Sequence, residues 1–420
     1  MIAKLNSWIE IPSNSDFSMY NIPFGIFSTA TIKHHAATAI GNTLVDLYAL
    51  SKHNYFKGIV DDSNLFKQAH LNDFIALGKP TTNKIRNRLI ELFSLDNKEL
   101  RSNTAACKEA FRELTSVEMR MPIKVGDYTD FYSSIDHATN MGSMFRDPKN
   151  ALLPNWKHIP VGYHGRSSSI IVSGTNFHRP KGQVKPADAE VPLFSASNQM
   201  DIELEMAFVI GKPTSLGDTI TTAAADEYIF GMLLFNDWSA RDIQSWEYVP
   251  LGPFLGKNFA STLSPWIVTL EALEPFRVDG YKQDPPVLPY LQYSGKKNID
   301  INLEVYLEAP NLAPQKICTS NYKYLYWTME QQLAHHTVNG CNVNVGDLMA
   351  SGTISGPEEG SYGSLMELTW KGTKPIKLAD GSERKFLQDN DTIIIRGFAS
   401  KDGIRVGFGE CKGKLLPATK

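Results

Sequence analysis

Cysteine is scarce: only Cys107, Cys318, Cys341 and Cys411 occur in 420 residues, far apart and without paired spacing. That excludes a disulfide framework and a Cys/His structural zinc site, and it makes a reducing cytoplasm the expected location. Long apolar runs are absent too. None approaches the roughly 18 residues of a membrane span, and the opening MIAKLNSWIEIP lacks the apolar segment of a secretory leader. The end, LLPATK, carries no retention or lipidation motif. Neither sign of charge prevails: 42 Lys and Arg face 45 Asp and Glu, a net charge of -3, with no basic stripe for nucleic acid. Repeats and low-complexity tracts are missing. So is a Gly-x-Ser-x-Gly elbow, HGRSSS being glycine-poor, and the glycines of GDLMASGTISGPEEGSYGS are not followed by the Gly-Lys-Ser/Thr of a phosphate loop. What remains is a chain of ordinary composition, 42% hydrophobic and 21% charged, long enough for two domains and without nucleic acid or membrane as an expected partner.

The texture changes along the chain. IPFGIFSTA reads as a strand after a turn, and GNTLVDLYAL as a strand or a strand running into a helix. From about Thr81 to Glu118 the spacing is helical: Ile85, Leu89, Leu92 and Phe93 form one stripe, and Ala106, Ala110, Phe111 and Leu114 a second, with Ser102-Asn103 available as a cap. Met121-Pro122 ends this unit and divides the chain into residues 1–120 and 121–420. Beyond it, short alternating runs (SSSIIVSG, DIELEMAFVI, IFGMLLFND, SPWIVTL, INLEVYLEA, DTIIIRGF) are separated by turn signals. One helix is expected over Met329–Val338, closed by Asn339-Gly340. The pattern predicts a mainly β (α+β) protein with a sandwich, roll or barrel-like second domain.

Four segments are dense in polar residues. DYTDFYSSIDHATNMGSMFR holds Asp130, Tyr132, His137 and Arg146 with little apolar periodicity and reads as loop and turn, either solvated or presenting catalytic groups. In DIELEMAFVIGKP, Asp201, Glu203 and Glu205 alternate with apolar residues and share one strand face. That stripe is either the solvated face of an edge strand or two same-side oxygens for a hard cation, which needs further acids from elsewhere. FNDWSARDIQSWEYVPLGPFLGKNFA places Asp237 at the end of a buried run, followed by Arg241, Gln244, Tyr248 and Lys257; Arg241 and Gln244 share a face if the segment is helical. Glu367, in SLMELTW, faces opposite to Met366 and Leu368 if the segment is a strand. His335 and His336 are adjacent and point apart, which suits helix-end charge or packing better than ligation, and His164 and His178 lack partners in the sequence.

Taken together and in this order, DYTDFYSSIDHATNMGSMFR, ALLPNWKHIPVGYHGRSSSIIVSGT, MDIELEMAFVIG, NDWSARDIQSWEYVPLGPFLGKNF, SPWIV, ASGTISGP and RVGFGECKGKLLP resemble the fumarylacetoacetase (fumarylacetoacetate hydrolase) family. SWIEIPSNSDFSMYNIPFGIFS extends the resemblance more loosely towards the N-terminus. The resemblance implies a small SH3-like N-terminal domain, a C-terminal mixed β-roll domain and a homodimer. It matches Asp130, Glu203, Glu205 and Asp237 to metal-binding carboxylates, His137 to a catalytic histidine, and Glu367 to the acid that orients it. Arg241, Gln244 and Lys257 match groups on the leaving-group side, and Tyr132, Arg146, Tyr248 and Thr353 match substrate contacts, to which Gln244 also belongs. A second cation site of the family lies near Asp237 and Lys257. Ala260-Ser261 stands where Gly-Thr is usual, so Ser261 keeps the oxygen while Ala260 narrows the backbone's freedom. Asp201 is left with no role and reads as solvated.

The implied reaction is metal-dependent hydrolysis of a carbon–carbon bond in a diketo acid, yielding fumarate and acetoacetate, with Ca²⁺ or Mg²⁺ and no organic cofactor. A histidine with an orienting carboxylate suits proton removal from water. A related acylpyruvate hydrolase or oxaloacetate decarboxylase shares the acidic metal site, but a decarboxylase does not require the pair His137 and Glu367. A non-catalytic calcium-binding protein keeps the carboxylates and has no use for His137, Glu367 or Lys257, all of which are present.

Overall fold

The computed structural model describes residues 5–420; residues 1–4 of the opening stretch, considered above for a leader, lie outside the described residues. The protein is mainly β, with short helices set between strands of three larger sheets. The first sheet is antiparallel, in the order Phe111–Glu113, Thr43–Asp46, His35–Ile40, Gly25–Ser28, Glu118–Arg120. GNTLVDLYAL is a strand running into a helix: Asp46 ends the strand and its carboxylate caps helix Leu47–Lys52 by accepting the Ala49 N–H at 3.1 Å. Helix Lys79–Phe93 buries the expected stripe of Ile85, Leu89, Leu92 and Phe93. The next helix, Thr104–Ala110, is capped by Asn103 and buries Ala106 and Ala110 of the second stripe but ends before Phe111 and Leu114. Phe111 opens the edge strand beside Thr43–Val45 instead, because pairing with that strand satisfies its backbone better than another helical turn.

The central sheet carries the site. Its strands run in the order Gly162–His164, Tyr128–Phe131, Leu348–Ala350, Leu204–Ile210, Ile229–Asn236, Ser261–Leu263, Ile170–Val172, with two parallel pairings and the rest antiparallel. Every residue of Leu204–Ile210 is buried. Leu204, Met206, Phe208 and Ile210 point into one core, which the third sheet (Gln315–Asn321, Asn302–Glu308, Thr392–Lys401, Ile404–Leu416, Phe177–His178) closes. Ala207 and Val209 point the other way, into a core shared with Phe24, Phe74 and the helical segment of the N-terminal third. The strand therefore separates two cores, with no solvated face at all. Glu205 lies on the Ala207 side at the end where both cores stop, and that end is where charged groups collect.

Two local expectations are corrected. Residues 127–146 are not loop but strand Tyr128–Phe131 followed by helix Ile135–Phe145. The inward face of that helix carries His137, Ala138 and Gly142, not the large aliphatic residues that signal a core helix. A Cβ at Gly142 lies 2.0 Å from the Ala151 carbonyl oxygen. Ser134 starts the helix by accepting the His137 N–H at 3.1 Å. Glu367 sits not on a strand but in the one-turn helix Leu365–Leu368, started by Ser364. Met329–Thr337 is helical as expected, with a Thr328/Gln331 capping box, and Gly340 takes the left-handed conformation (φ 88°) just beyond it.

Leu233 pairs with Ala207 and fills the core between the central sheet and the N-terminal third. Leu233→Ala is expected to lower unfolding free energy by about 2–5 kcal/mol. Denaturant titration checks this, and a change within about 0.5 kcal/mol contradicts the shared core.

Candidate active site

Four carboxylates from separate elements meet at the end of the central sheet: Asp130 from Tyr128–Phe131, Glu203 and Glu205 at the start of Leu204–Ile210, and Asp237 just after Ile229–Asn236. One oxygen from each lies within 4.8 Å of the others, and all four residues are buried. Strand pairing sets the arrangement, since Glu205 sits opposite Phe235 and Asp130 lies beside Ala350 and Tyr163. The Glu203 N–H donates to the Asn236 side chain at 3.1 Å and the Asp237 N–H to the Glu203 carbonyl at 3.3 Å, so the two acids turn towards each other.

The acids are not equivalent. Lys257 Nζ donates to Glu203 Oε2 at 2.5 Å and to Asp237 Oδ2 at 2.8 Å, and Arg241 Nη1 lies 2.8 Å from Glu203 Oε1. Burial alone raises the Glu203 carboxyl, but Lys257, Arg241 and His137 outweigh it and hold it well below the usual range. Asp237 also accepts from Ser261 Oγ at 2.7 Å and from Tyr163 OH at 2.9 Å. Asp130 and Glu205 have no such company. Asp130 Oδ1 and both oxygens of Glu205 are buried without a hydrogen-bond partner. Burial, followed by repulsion from the neighbouring carboxylates, pushes both far above the ordinary range. Orphaned oxygens turned to a common point are what a hard divalent cation takes, so the donor set fits such an ion. Lys257 is held as an ammonium by two carboxylates after burial has opposed its charge, and an ammonium offers no lone pair to a metal.

Beside this cluster lies the dyad. His137 Nδ1 is 2.7 Å from Glu367 Oε2, and both side chains are buried. Glu367 accepts further hydrogen bonds from Asn140 Nδ2 at 3.0 Å, Ser364 Oγ at 2.8 Å and Ser355 Oγ at 2.9 Å. Burial raises this carboxyl, yet His137 and these donors bring it below its ordinary value. Asn140 and Ser355 lie within DYTDFYSSIDHATNMGSMFR and ASGTISGP but drew no role from the sequence, and Ser364 lies outside those motifs: single polar residues matter here because the chain folds them around one carboxylate.

A cavity of about 430 Å³ opens next to these groups, lined by Tyr132, Arg146, Arg241, Gln244, Tyr248 and Met366 among others. Arg241 and Gln244 share a face of helix Arg241–Glu247, and Arg241 Nη1 donates to Gln244 Oε1 at 3.2 Å. The Tyr132 ring meets the His137 ring edge-on, 5.2 Å away. Its hydroxyl stays protonated, because burial first and then the nearby Glu367 and Glu203 charges oppose ionisation. Arg146 donates to the Ala151 carbonyl at 2.6 Å, which leaves its other donors available, and Tyr248 is exposed at the mouth. Thr353 is buried with Oγ1 unpartnered and is not among the lining residues of that cavity. Ser261, Lys257, Asp237 and Tyr163 border a second cavity of about 260 Å³.

Asp201 is a correction. It is fully buried, not solvated: its carboxylate accepts from Arg241 Nε and from the Leu365 and Met366 amides. The histidines set aside in the sequence stay outside the acid cluster. His335 bonds Tyr290 OH, His336 Nε2 bonds Thr129 Oγ1, and His178 bonds the Pro417 carbonyl. Among the described residues the four acids are the one group of metal-ligating side chains that converges.

Asp130 and Glu205, raised in the metal-free protein, favour folding at low pH; that stability falls as pH rises from the unfolded carboxyl value of about 4 into their raised range. Glu205→Gln removes one such group. In chelated protein the variant is expected to gain stability over the unsubstituted chain between pH 5 and pH 8, by up to about 1.4 kcal/mol per pH unit. Thermal melts at the two pH values check it, and a constant difference contradicts the assignment.

Residues 128–415 match the fumarylacetoacetate (FAA) hydrolase C-terminal family and residues 20–122 the fumarylacetoacetase N-terminal family. The chain is 52% identical to the fumarylacetoacetase of Homo sapiens over 415 residues, covering 98% of this chain and 99% of that one. It is 51% identical to that of Caenorhabditis elegans over 420 residues, covering 99% and 100%. Among solved structures, a fumarylacetoacetate hydrolase from psychrophilic Exiguobacterium antarcticum superposes with a TM-score of 0.53 at 16% identity, covering 94% of this chain and 99% of that one. Maleylpyruvate hydrolase from Sphingobium gives 0.51 at 14%, covering 94% and 100%. These two likenesses establish the fold alone. With both family matches and relatives near 50% identity across its length, the chain belongs to the fumarylacetoacetate hydrolase family.

Proposed function

We propose that this chain hydrolyses the carbon–carbon bond of 4-fumarylacetoacetate to fumarate and acetoacetate, the last step of tyrosine and phenylalanine degradation. The observation that carries the reading is the buried His137–Glu367 dyad beside the four-carboxylate cluster. With Nδ1–H directed at Glu367, Nε2 is the lone-pair nitrogen that removes a proton from water, and Glu367 stabilises the imidazolium that results. The hydroxide adds to a substrate carbonyl, and cleavage sends the bonding electrons to the departing carbon, which leaves as an enolate. Arg241 and Gln244 steady its negative charge, and Lys257 or Arg241 assists the proton transfer that yields acetoacetate. Tyr132, Arg146, Tyr248 and Thr353 contact the substrate, Arg146 being suited to a carboxylate. Asp130, Glu203, Glu205 and Asp237 hold Ca²⁺ or Mg²⁺, which when bound polarises the dicarbonyl and lowers the cost of negative charge. Lys257 serves as counter-charge, and a second, smaller cation site would draw its oxygens from Asp237 and Ser261 and not from the Lys257 ammonium. No organic cofactor is invoked.

The same reading takes residues 1–120 as an SH3-like domain and 121–420 as a mixed β-roll domain, in a cytoplasmic homodimer. Exposed apolar side chains at Phe194, Val249, Leu251 and Phe254 support a second copy as partner. An acylpyruvate hydrolase, which shares the acidic metal site, is the alternative reading. A decarboxylase or a calcium-binding protein leaves the dyad without a task.

Purified protein with divalent cation is expected to abolish the ultraviolet absorbance of the diketo acid, and chelator to prevent it; turnover unaffected by chelator counts against the metal. His137→Ala is expected to lower kcat by about 10³-fold or more with bound metal per chain unchanged. Near-normal turnover in that variant rejects His137 as the base.

A further inference from the structure

Asp201 is fully buried, and three of the four groups bonded to its carboxylate belong to the elements that build the site. Oδ1 accepts the Leu365 N–H at 2.6 Å and its neighbour's Ile202 N–H at 2.7 Å; Oδ2 accepts the Met366 N–H at 3.1 Å and Arg241 Nε at 2.8 Å. The two amides open the one-turn helix that carries Glu367 and, at Met366, the cavity wall. Main-chain donors thus fix the carboxylate, and the carboxylate fixes the guanidinium. An arginine side chain has several rotatable bonds, so one ion pair to Glu203 does not define the direction of its fork. A second carboxylate at Nε does. With Nε on Asp201 and Nη1 shared between Glu203 and Gln244, one donor nitrogen is left over: Nη2 of Arg241 is buried and has no partner. A buried guanidinium nitrogen without an acceptor is costly unless a ligand oxygen completes it. Arg241 is among the residues lining the cavity, so an occupant of that cavity is the source we assign to that oxygen.

We infer that Asp201 is a positioning residue: it locks Arg241 so that the unpartnered Nη2 presents to the substrate oxygen on which negative charge develops during cleavage. This rests on the hydrolase reading above. Asp201 touches no substrate itself and acts through Arg241. Glu203 cannot replace it, because Glu203 belongs to the acid cluster and is shared with Lys257.

The test uses the metal-loaded full chain and the diketo acid as substrate. Asp201→Asn keeps the shape and one acceptor oxygen but removes the charge and sets an amide against Arg241 Nε. Its kcat is expected to fall about 10- to 100-fold with KM changed less than about threefold, melting temperature and bound metal per chain remaining close to those of the unsubstituted protein. A merely structural residue changes the last two and leaves kcat per folded chain alone. Adding Asp201→Asn to Arg241→Gln is expected to cost less than about twofold further, since the group it orients is already gone. Where Asp201→Asn alone fails to fold, the neutral double variant against Arg241→Gln decides: equal kcat supports the inference, and a further drop of tenfold or more overturns it. Normal kcat in Asp201→Asn with an impaired Arg241→Gln overturns the inference and leaves the hydrolase reading standing. Absence of turnover by the unsubstituted chain overturns that reading, and the inference with it.

Discussion

The mutual repulsion of four buried carboxylates governs this structure. Two unit charges 4.8 Å apart repel by about 3.5 kcal/mol even at an effective dielectric near 20, and Asp130, Glu203, Glu205 and Asp237 present oxygens no farther apart than that. No fold gathers such charges without opposing ones. Lys257 and Arg241 supply part, both bonding Glu203, while Lys257 alone reaches Asp237. The remainder falls on Asp130 and Glu205, whose oxygens are left for a cation or for protons.

The rest of the architecture serves that convergence. A strand with apolar side chains on both faces, Leu204–Ile210, anchors Glu205 between two cores so that it cannot retreat into water. Neighbouring strands bring Asp130 and Asp237 to the same sheet end by hydrogen-bond register, which is stiffer than any loop. Short helices then add what strands cannot. Helix Ile135–Phe145 delivers His137, helix Arg241–Glu247 delivers Arg241 and Gln244 on one face, and the single turn at Leu365 delivers Glu367. Each helix start is close to a site group. Ser134 caps through the His137 amide, Ser364 bonds Glu367 twice, and Asp201 ties the Leu365 turn to Arg241.

The sequence made some of this legible and hid the rest for physical reasons. Helix Lys79–Phe93 and the alternating strands declared themselves because burial imposes a period on apolar residues. The helix was missed at residues 127–146, where its buried face is His137, Ala138 and Gly142 and holds no large aliphatic residue. The rule also failed at Glu367, since one helical turn is too short to show a period. The acidic alternation at Asp201, Glu203 and Glu205 was visible, but which of the three was solvated was not. Burial of Asp201 depends on Arg241, forty residues on, and on two amides more than 160 residues on. Asn140, Ser355 and Tyr163 are ordinary polar residues until the fold places them against Glu367 and Asp237.

The central claim is that Asp130 and Glu205 turn unpartnered oxygens towards a cation, and that without one burial and the neighbouring carboxylates drive both towards the protonated form. Calorimetric titration of Ca²⁺ into chelator-treated protein near pH 7, repeated in buffers of different ionisation enthalpy, counts the protons released on binding. The account predicts a binding event that expels protons and is lost in Asp130→Asn. Binding without proton release, or equally tight in Asp130→Asn, contradicts it.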